Sequence, residues 1–100
     1  MFERLNQIEA KYDELTQALS SPEVIGDSSR YQKTAKAHSE VAEIVEKYRE
    51  YKDLQRGIDE SKAMVAEESD AELRAYAQEE LSRLGERLAQ VENDLKAQFI

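Results

Sequence analysis

The stretch from Ser28 to Ala66 constrains this chain more than any other, because it contains no proline and a single glycine, Gly57. Apolar and aromatic residues recur along it at Tyr31, Ala35, Val41, Ile44, Tyr48, Tyr51, Leu54, Ile58 and Val65. Spacings of three and four indicate a helix, whereas a strand would alternate strictly. At 1.5 Å per residue a continuous helix here is roughly 55–60 Å long. Such a helix cannot bury its own apolar stripe, so the flanking segments must supply partners. From Val41 onward two rows stand out: Ile44, Tyr51, Ile58 and Val65, spaced by seven, and Val41, Tyr48, Gln55 and Lys62. The second row turns polar halfway. Gly57 costs about 1 kcal/mol relative to alanine in a helix interior and marks the expected bend. One continuous, curved helix is the reading; two helices meeting near Asp53–Gly57 are the alternative.

The flanks fit the role of partners. Leu5, Ile8, Tyr12, Leu15 and Leu19 step by three and four, the a/d seam of an amphipathic helix over about 2–19. Ser20 to Asp27 (SSPEVIGD) then breaks the pattern. Ser21-Pro22 caps and starts a short turn, since proline suits a first helical position. Val24 and Ile25 are expected to tuck under the connector. Gly26 is expected to take a left-handed stop, and Asp27 to cap the long helix over 28–66. After Glu67–Asp70, Ser69 and Glu72 match a capping box. A third helix follows over about 70–97, with a seam of Leu73, Ala77, Leu81, Leu84, Leu88, Val91 and Leu95. Glu79–Arg83 and Glu92–Lys96 are expected i,i+4 pairs.

Short polar connections between three helices predict an all-α fold: an antiparallel, three-helix, coiled-coil-like bundle with one long central helix, forming a single domain over 1–100. The first and third helices are expected to share the N-terminal half of the central one, leaving the half beyond Gly57 as an exposed tip. The apolar Phe99-Ile100 ending, with no capping signal, suggests a fragment of a longer protein.

Charge narrows the function classes. The net charge is −8. Residues 1–26 carry five acids and two bases, 27–66 eight of each, and 67–100 nine acids and four bases. Independent nucleic-acid binding is not expected of so acidic a chain. The neutral middle between acidic flanks suggests bases on the central helix meeting acids on its neighbours. Without cysteine there is no disulfide framework and no thiolate chemistry. No signal peptide or membrane span is legible, so a cytoplasmic location is expected.

Side chains that could carry chemistry each have a plainer reading. His38, the one histidine, lacks cysteine or a second histidine at metal-ligand spacing and reads as a surface or seam-edge residue. Glu67/Glu68 and Glu79/Glu80 could suggest paired acids, but neighbours on a helix point about 100° apart and cannot converge on one substrate. Neither a nucleophile–base pair nor a phosphate-binding glycine loop is recognisable, so no catalytic, cofactor-binding or metal site is expected. Tyr31, Tyr48 and Tyr51 could stack on bases, yet their helical spacing favours core packing. Arg30, Lys33 and Lys36 form a basic run with no acid between Asp27 and Glu40. They could touch RNA, or pair with the acidic first or third helix.

The order of elements and several stretches resemble the N-terminal domain of the bacterial peptide chain release factor 1 family. These are Leu19-Ser20-Ser21-Pro22-Glu23-Val24-Ile25, Asp27, Arg30-Tyr31-Gln32-Lys33 and Ala37-His38-Ser39-Glu40-Val41. Tyr48-Arg49-Glu50-Tyr51-Lys52, Ile58-Asp59-Glu60-Ser61-Lys62, Glu79-Glu80-Leu81 and Leu95-Lys96 continue it. The start at Met1-Phe2-Glu3 and the SSPEVIGD turn favour the type that reads UAA and UAG over its UAA/UGA relative. The resemblance implies a part in translation termination, with the ribosome near the base of the large-subunit stalk and a recycling GTPase release factor as partners. It also implies that stop-codon reading and peptidyl-tRNA hydrolysis lie elsewhere. Gly26, Gly57 and Gly85 are isolated, so the family's Gly-Gly-Gln motif is absent, and Pro22 sits in a turn rather than in a codon-reading tripeptide. A structural coiled-coil adaptor or dimerisation module is the competing reading.

Overall fold

Four helices follow one another in a computed structural model that describes residues 1–98: α1 (Phe2–Ala18), α2 (Pro22–Ile25), α3 (Ser28–Glu67) and α4 (Ala71–Ala97). The described residues contain no strand, so the fold is all-α. The expectation attached to Phe99 and Ile100 lies outside the described residues. The chain divides into two compact units, the first Met1–Glu46 and the second from Lys47 onward.

In the first unit, α1 turns its a/d row inward: Leu5 is buried and Ile8, Tyr12 and Leu15 are half-buried. The connector then makes a single helical turn, α2, with Pro22 at its first position behind an extended Ser21. Val24 is buried, but Ile25 stays exposed. One turn of helix can face only one of two adjacent residues inward, which corrects the expectation that both would tuck. Gly26 is right-handed at φ −75°, and none of the described residues has a positive φ. The chain continues its helical turn instead, with Gly26 N donating to the Pro22 carbonyl at 2.9 Å and Asp27 N to the Val24 carbonyl at 3.1 Å, so no left-handed stop is needed. Asp27 then starts α3: its Oδ1 accepts from Arg30 N at 3.1 Å and its carbonyl from Tyr31 N at 2.8 Å.

Helix α3 runs unbroken through Gly57 for 40 residues. A Cβ at Gly57 would lie 3.1 Å from Leu84 Cδ1, so the glycine admits a close approach of α4. The buried positions are Val45, Tyr48, Tyr51, Leu54 and Ser61, whereas Ile44, Ile58 and Val65 are half-buried. This departs from the heptad row read from the sequence. A helix of 3.6 residues per turn drifts about 20° per heptad, so a strict seven-residue row cannot stay buried along a helix this long.

In the second unit the pairing of α3 with α4 is antiparallel. Lys47 Nζ meets Asp94 Oδ2 at 3.3 Å, Glu50 meets Arg87, Gly57 faces Leu84, and Ser61 lies near Ala77. Ala77, Leu84, Val91 and Leu95 are the buried row of α4. Helix α4 therefore covers the half of α3 that the sequence reading left as an exposed tip. The connection at 68–70 is so short that α4 must fold back on the end of α3 at once. Leu73, expected in the seam, is 49% exposed. It sits in the first turn of α4, opposite the point where α3 ends.

That short connection is closed by polar contacts. Asp70, not Ser69, is the N-cap of α4: its Oδ1 accepts from Glu72 N at 2.8 Å and Leu73 N at 3.3 Å. Arg74 Nη1 donates to the Glu68 carbonyl at 3.0 Å, satisfying a backbone acceptor just past the end of α3. Glu68 Oε1 accepts from Asp70 N at 3.1 Å.

Candidate functional site

The first turns of α3 carry the basic run. Because Asp27 caps this end, the helix begins before Arg30, and Arg30, Lys33 and Lys36 then recur at intervals of three on neighbouring positions of one side. All three are exposed, and their side chains make no ion pair among the described residues. Of the two readings left open by the sequence, the structure does not show pairing with acidic neighbours. Thr34, between them, donates its hydroxyl back to the Arg30 carbonyl at 2.8 Å and so adds no negative charge to the edge. Tyr31 lies beside the run and is 40% exposed, which corrects its placement in the core. It falls in the first turn, before α3 reaches its buried positions. The result is an edge of three uncompensated cations, suited to contacting a phosphate-bearing surface, with the accessible Tyr31 ring about 100° round the helix from Arg30.

The other two tyrosines are structural. Tyr48 and Tyr51 are buried. Lys52 Nζ lies 4.6 Å above the Tyr48 ring, a cation–π contact one turn along the helix. Gln55 Nε2 donates to the Tyr51 hydroxyl at 3.1 Å. Burial, and then the Glu92 carboxylate, push the Tyr51 hydroxyl above its ordinary value, which keeps it protonated.

His38 sits at the seam of the first unit. Its ring stacks on Tyr12, centroids 4.3 Å apart and planes 22° from parallel. Thr16 Oγ1 donates to the Tyr12 carbonyl at 2.9 Å, which uses its one proton. The 2.9 Å contact between Thr16 Oγ1 and His38 Nε2 therefore assigns the donor hydrogen to the imidazole. The ring is held by α1 at its face and its edge.

The acid pairs separate, as helix geometry requires. Glu68 serves the 68–70 connection while Glu67 is exposed. Glu80 takes Arg83, which donates from Nε at 3.2 Å and also from Nη2. The expected Glu79–Arg83 pair is replaced by this i,i+3 pair. The Arg83 hydrogen bond holds the Glu80 carboxyl below its ordinary value. Glu92 and Lys96 do meet, at 3.6 Å.

The most elaborate polar contact is one the sequence reading did not single out. Arg87 donates to Glu50 through Nε at 2.8 Å and Nη2 at 2.9 Å, a bidentate pair across α3 and α4. The Arg87 hydrogen bond lowers the Glu50 pKa. No sequence signal marks this pair until the α3–α4 register is known, because the partners are 37 residues apart. Among the described residues no cluster of three or more His, Cys, Asp or Glu could hold a metal ion. No described helix is long and apolar enough to cross a membrane.

The comparisons with known proteins bear on the whole of this arrangement. The family model described as the PCRF domain matches residues 8–100. Over 96% of its length the chain is 53% identical to a protein named peptide chain release factor 1 from Acidobacterium capsulatum, covering 26% of that protein. Proteins of the same name from Syntrophomonas wolfei subsp. wolfei and Carboxydothermus hydrogenoformans are 49% and 45% identical over the same share of the chain, which covers 27% of each. The chain thus spans about a quarter of the length of these curated relatives. No solved structure gives a significant match. With a match that takes in both units and nearly every residue, the chain belongs to the PCRF domain family.

Proposed function

We propose that this chain is the N-terminal helical domain of a peptide chain release factor that directs translation termination at UAA and UAG codons in the cytoplasm. Its part there is binding and positioning. The observation that carries this reading is the family match over 8–100, with relatives of that name at 45–53% identity along the chain. Codon reading and peptidyl-tRNA hydrolysis are assigned to the remainder of the factor, since this chain spans only about a quarter of the length of its relatives. In this reading α1 runs antiparallel to the first half of α3, completing a three-helix antiparallel bundle.

The surface that serves the ribosome is the Arg30–Lys33–Lys36 edge, whose cations have no internal partner. It meets ribosomal RNA near the base of the large-subunit stalk, and the recycling GTPase factor is the second partner. The test uses the full-length factor with Lys33→Glu and Lys36→Glu together. Ribosome association weakens, and its salt dependence falls by roughly one unit of slope for each phosphate no longer neutralised. Helix content stays unchanged, because both side chains are exposed. Unchanged association at low salt removes the edge from the reading. A stable homodimer with no affinity for ribosomes replaces it with the coiled-coil adaptor.

A further inference from the structure

In the second unit, between the last turns of α3 and the first turns of α4, a notch of about 190 Å³ opens to solvent. It is lined by Glu60, Ser61, Met64, Tyr76, Ala77 and Glu80. Residue size accounts for it. Farther along the seam Leu54 and Leu84 fill the space between the helices, but here the buried residues are the small Ser61 and Ala77. The walls are apolar and open: Met64 is 43% exposed and Tyr76 64%. Leu73, also exposed, lies one turn before Tyr76 on α4. Large apolar side chains gathered around one concavity mark a contact surface, where scattered ones would not.

A second observation concerns Ser61. The helical hydroxyls of Thr16, Thr34 and Ser39 each turn back to a carbonyl three or four residues earlier. Ser61 is more than nine-tenths buried, lines the notch, and makes no hydrogen bond to any described residue. Among the described residues no buried side-chain oxygen or nitrogen lacks a partner, so the Ser61 hydroxyl meets the solvent of the notch, where an incoming group can take the place of water. Charge then selects the occupant. Residues 59–80 hold eight acids and two bases, and one of those bases, Arg74, is committed to the Glu68 carbonyl. Of the two acids that line the notch, Glu80 is paired with Arg83, and Glu60 holds no cation among the described residues. Such a rim repels a phosphate backbone and attracts lysine and arginine.

We propose that this notch is a docking site for a basic protein segment. The segment seats one aliphatic or aromatic side chain between Met64 and Tyr76, hydrogen-bonds Ser61 at the floor, and sets lysine or arginine against Glu60. The surface is small and has a single anchor, which suits a transient contact rather than a permanent assembly. The proposal is independent of the role given above to Arg30, Lys33 and Lys36, because it uses the other unit and the opposite charge.

The test is a nuclear magnetic resonance titration of this chain with a helical lysine–alanine peptide carrying one central leucine. Shifts are expected at Ser61, Met64, Tyr76 and Ala77, diminishing as salt rises. A peptide with glutamate in place of each lysine is expected to leave the spectrum unchanged. Tyr76→Ala weakens binding about tenfold, as loss of an interface anchor does. The fold tolerates this change, since most of the Tyr76 side chain is already in water, and circular dichroism verifies it. Ser61→Ala keeps the floor small and gives a lesser loss. The proposal is overturned by any of four results: no shift at millimolar peptide, equal binding of the acidic peptide, shifts confined to residues 1–46, or Tyr76→Ala without effect. It is equally overturned if the same resonances move with chain concentration alone, which would make a second copy the occupant, or with an RNA hairpin.

Discussion

The two ends of α3 handle charge in opposite ways. At its start, in the first unit, Arg30, Lys33 and Lys36 stand exposed with no acid to meet them. In the second unit most bases are spent internally: Lys47 on Asp94, Arg56 on Asp53, Arg74 on the Glu68 carbonyl, Arg83 on Glu80 and Arg87 on Glu50. What the second unit leaves unpaired is therefore mostly acidic, and it includes Glu60 in the lining of the notch. A chain of net charge −8 thus presents one basic edge and one acid-rimmed apolar notch, suited to different partners. The lesson is that net charge describes neither surface. The sum of eight acids and eight bases over 27–66 hides unpaired cations at one end of the helix and cross-helix ion pairs farther along.

The contrast holds only if the ion pairs of the second unit set register while apolar packing supplies stability. The largest expected effect tests that division. Leu95 is fully buried, as is Val91 one turn before it. Leu95→Ala should cost about 2–5 kcal/mol, read as a fall in the urea midpoint, because a cavity adds to the forfeited transfer energy. Lys47→Ala, which removes only an ion pair of half-exposed partners at 3.3 Å, should cost less than about 1 kcal/mol. A larger loss for Lys47→Ala than for Leu95→Ala would reverse the assignment.

The caps offer a closer comparison of the two regions. The Asp70 side chain accepts two backbone N–H groups at the start of α4, and the Asp27 side chain accepts one at the start of α3. Replacing Asp70 by alanine should cost about 1 kcal/mol in thermal unfolding, with a smaller loss for Asp27→Ala. Hydrogen exchange locates the effect: fraying is expected at Glu72 and Leu73 for the first variant, and at Arg30 for the second.

These residues also show what the sequence can disclose. The cap at Asp27, the proline turn at Pro22 and the existence of the long helix rest on local chemistry, and they are legible. So is the basic run at Arg30, Lys33 and Lys36. What escapes depends on which residues face each other across helices. Val45 and Ser61 are buried because of the helices packed against α3, not because of their own spacing on it. Tyr31 and Leu73 carry the right period but fall in first turns, where a neighbouring helix does not cover them. The Glu50–Arg87 pair and the notch need the α3–α4 register, which follows only once the connection at 68–70 is seen to fold α4 straight back. Ser61 is the clearest case, since a serine among charged residues gives no hint of a buried floor.

The smallest expected effect separates register from stability most finely, because it isolates one ion pair. The Arg87 hydrogen bond lowers the Glu50 pKa from its ordinary 4.5, and the nearby positive charges of Arg87 and Lys47 act in the same direction. In the unfolded chain that carboxyl takes up a proton at its ordinary value, before the folded one does. The pairing therefore contributes fully above pH 4.5 and is lost as pH falls through the lower folded value. Over that acidic window the unfolded state binds more protons, so stability rises with pH. Arg87 has its own pKa raised further and remains protonated throughout, so it adds no slope of its own. More than a third of each side chain is in water, so screening keeps the effect below that of either cap. Glu50→Gln should remove this part of the acid-side slope, so the variant lies slightly below the parent at neutral pH and converges with it as the carboxyl is protonated. The measurement is the difference between parent and variant across roughly pH 3 to 6, which cancels everything the two share. A difference that does not vary with pH would mean that Glu50 is held by packing rather than by charge. The register of the second unit would then owe more to packing, such as that of Leu84 on Gly57, than to this ion pair.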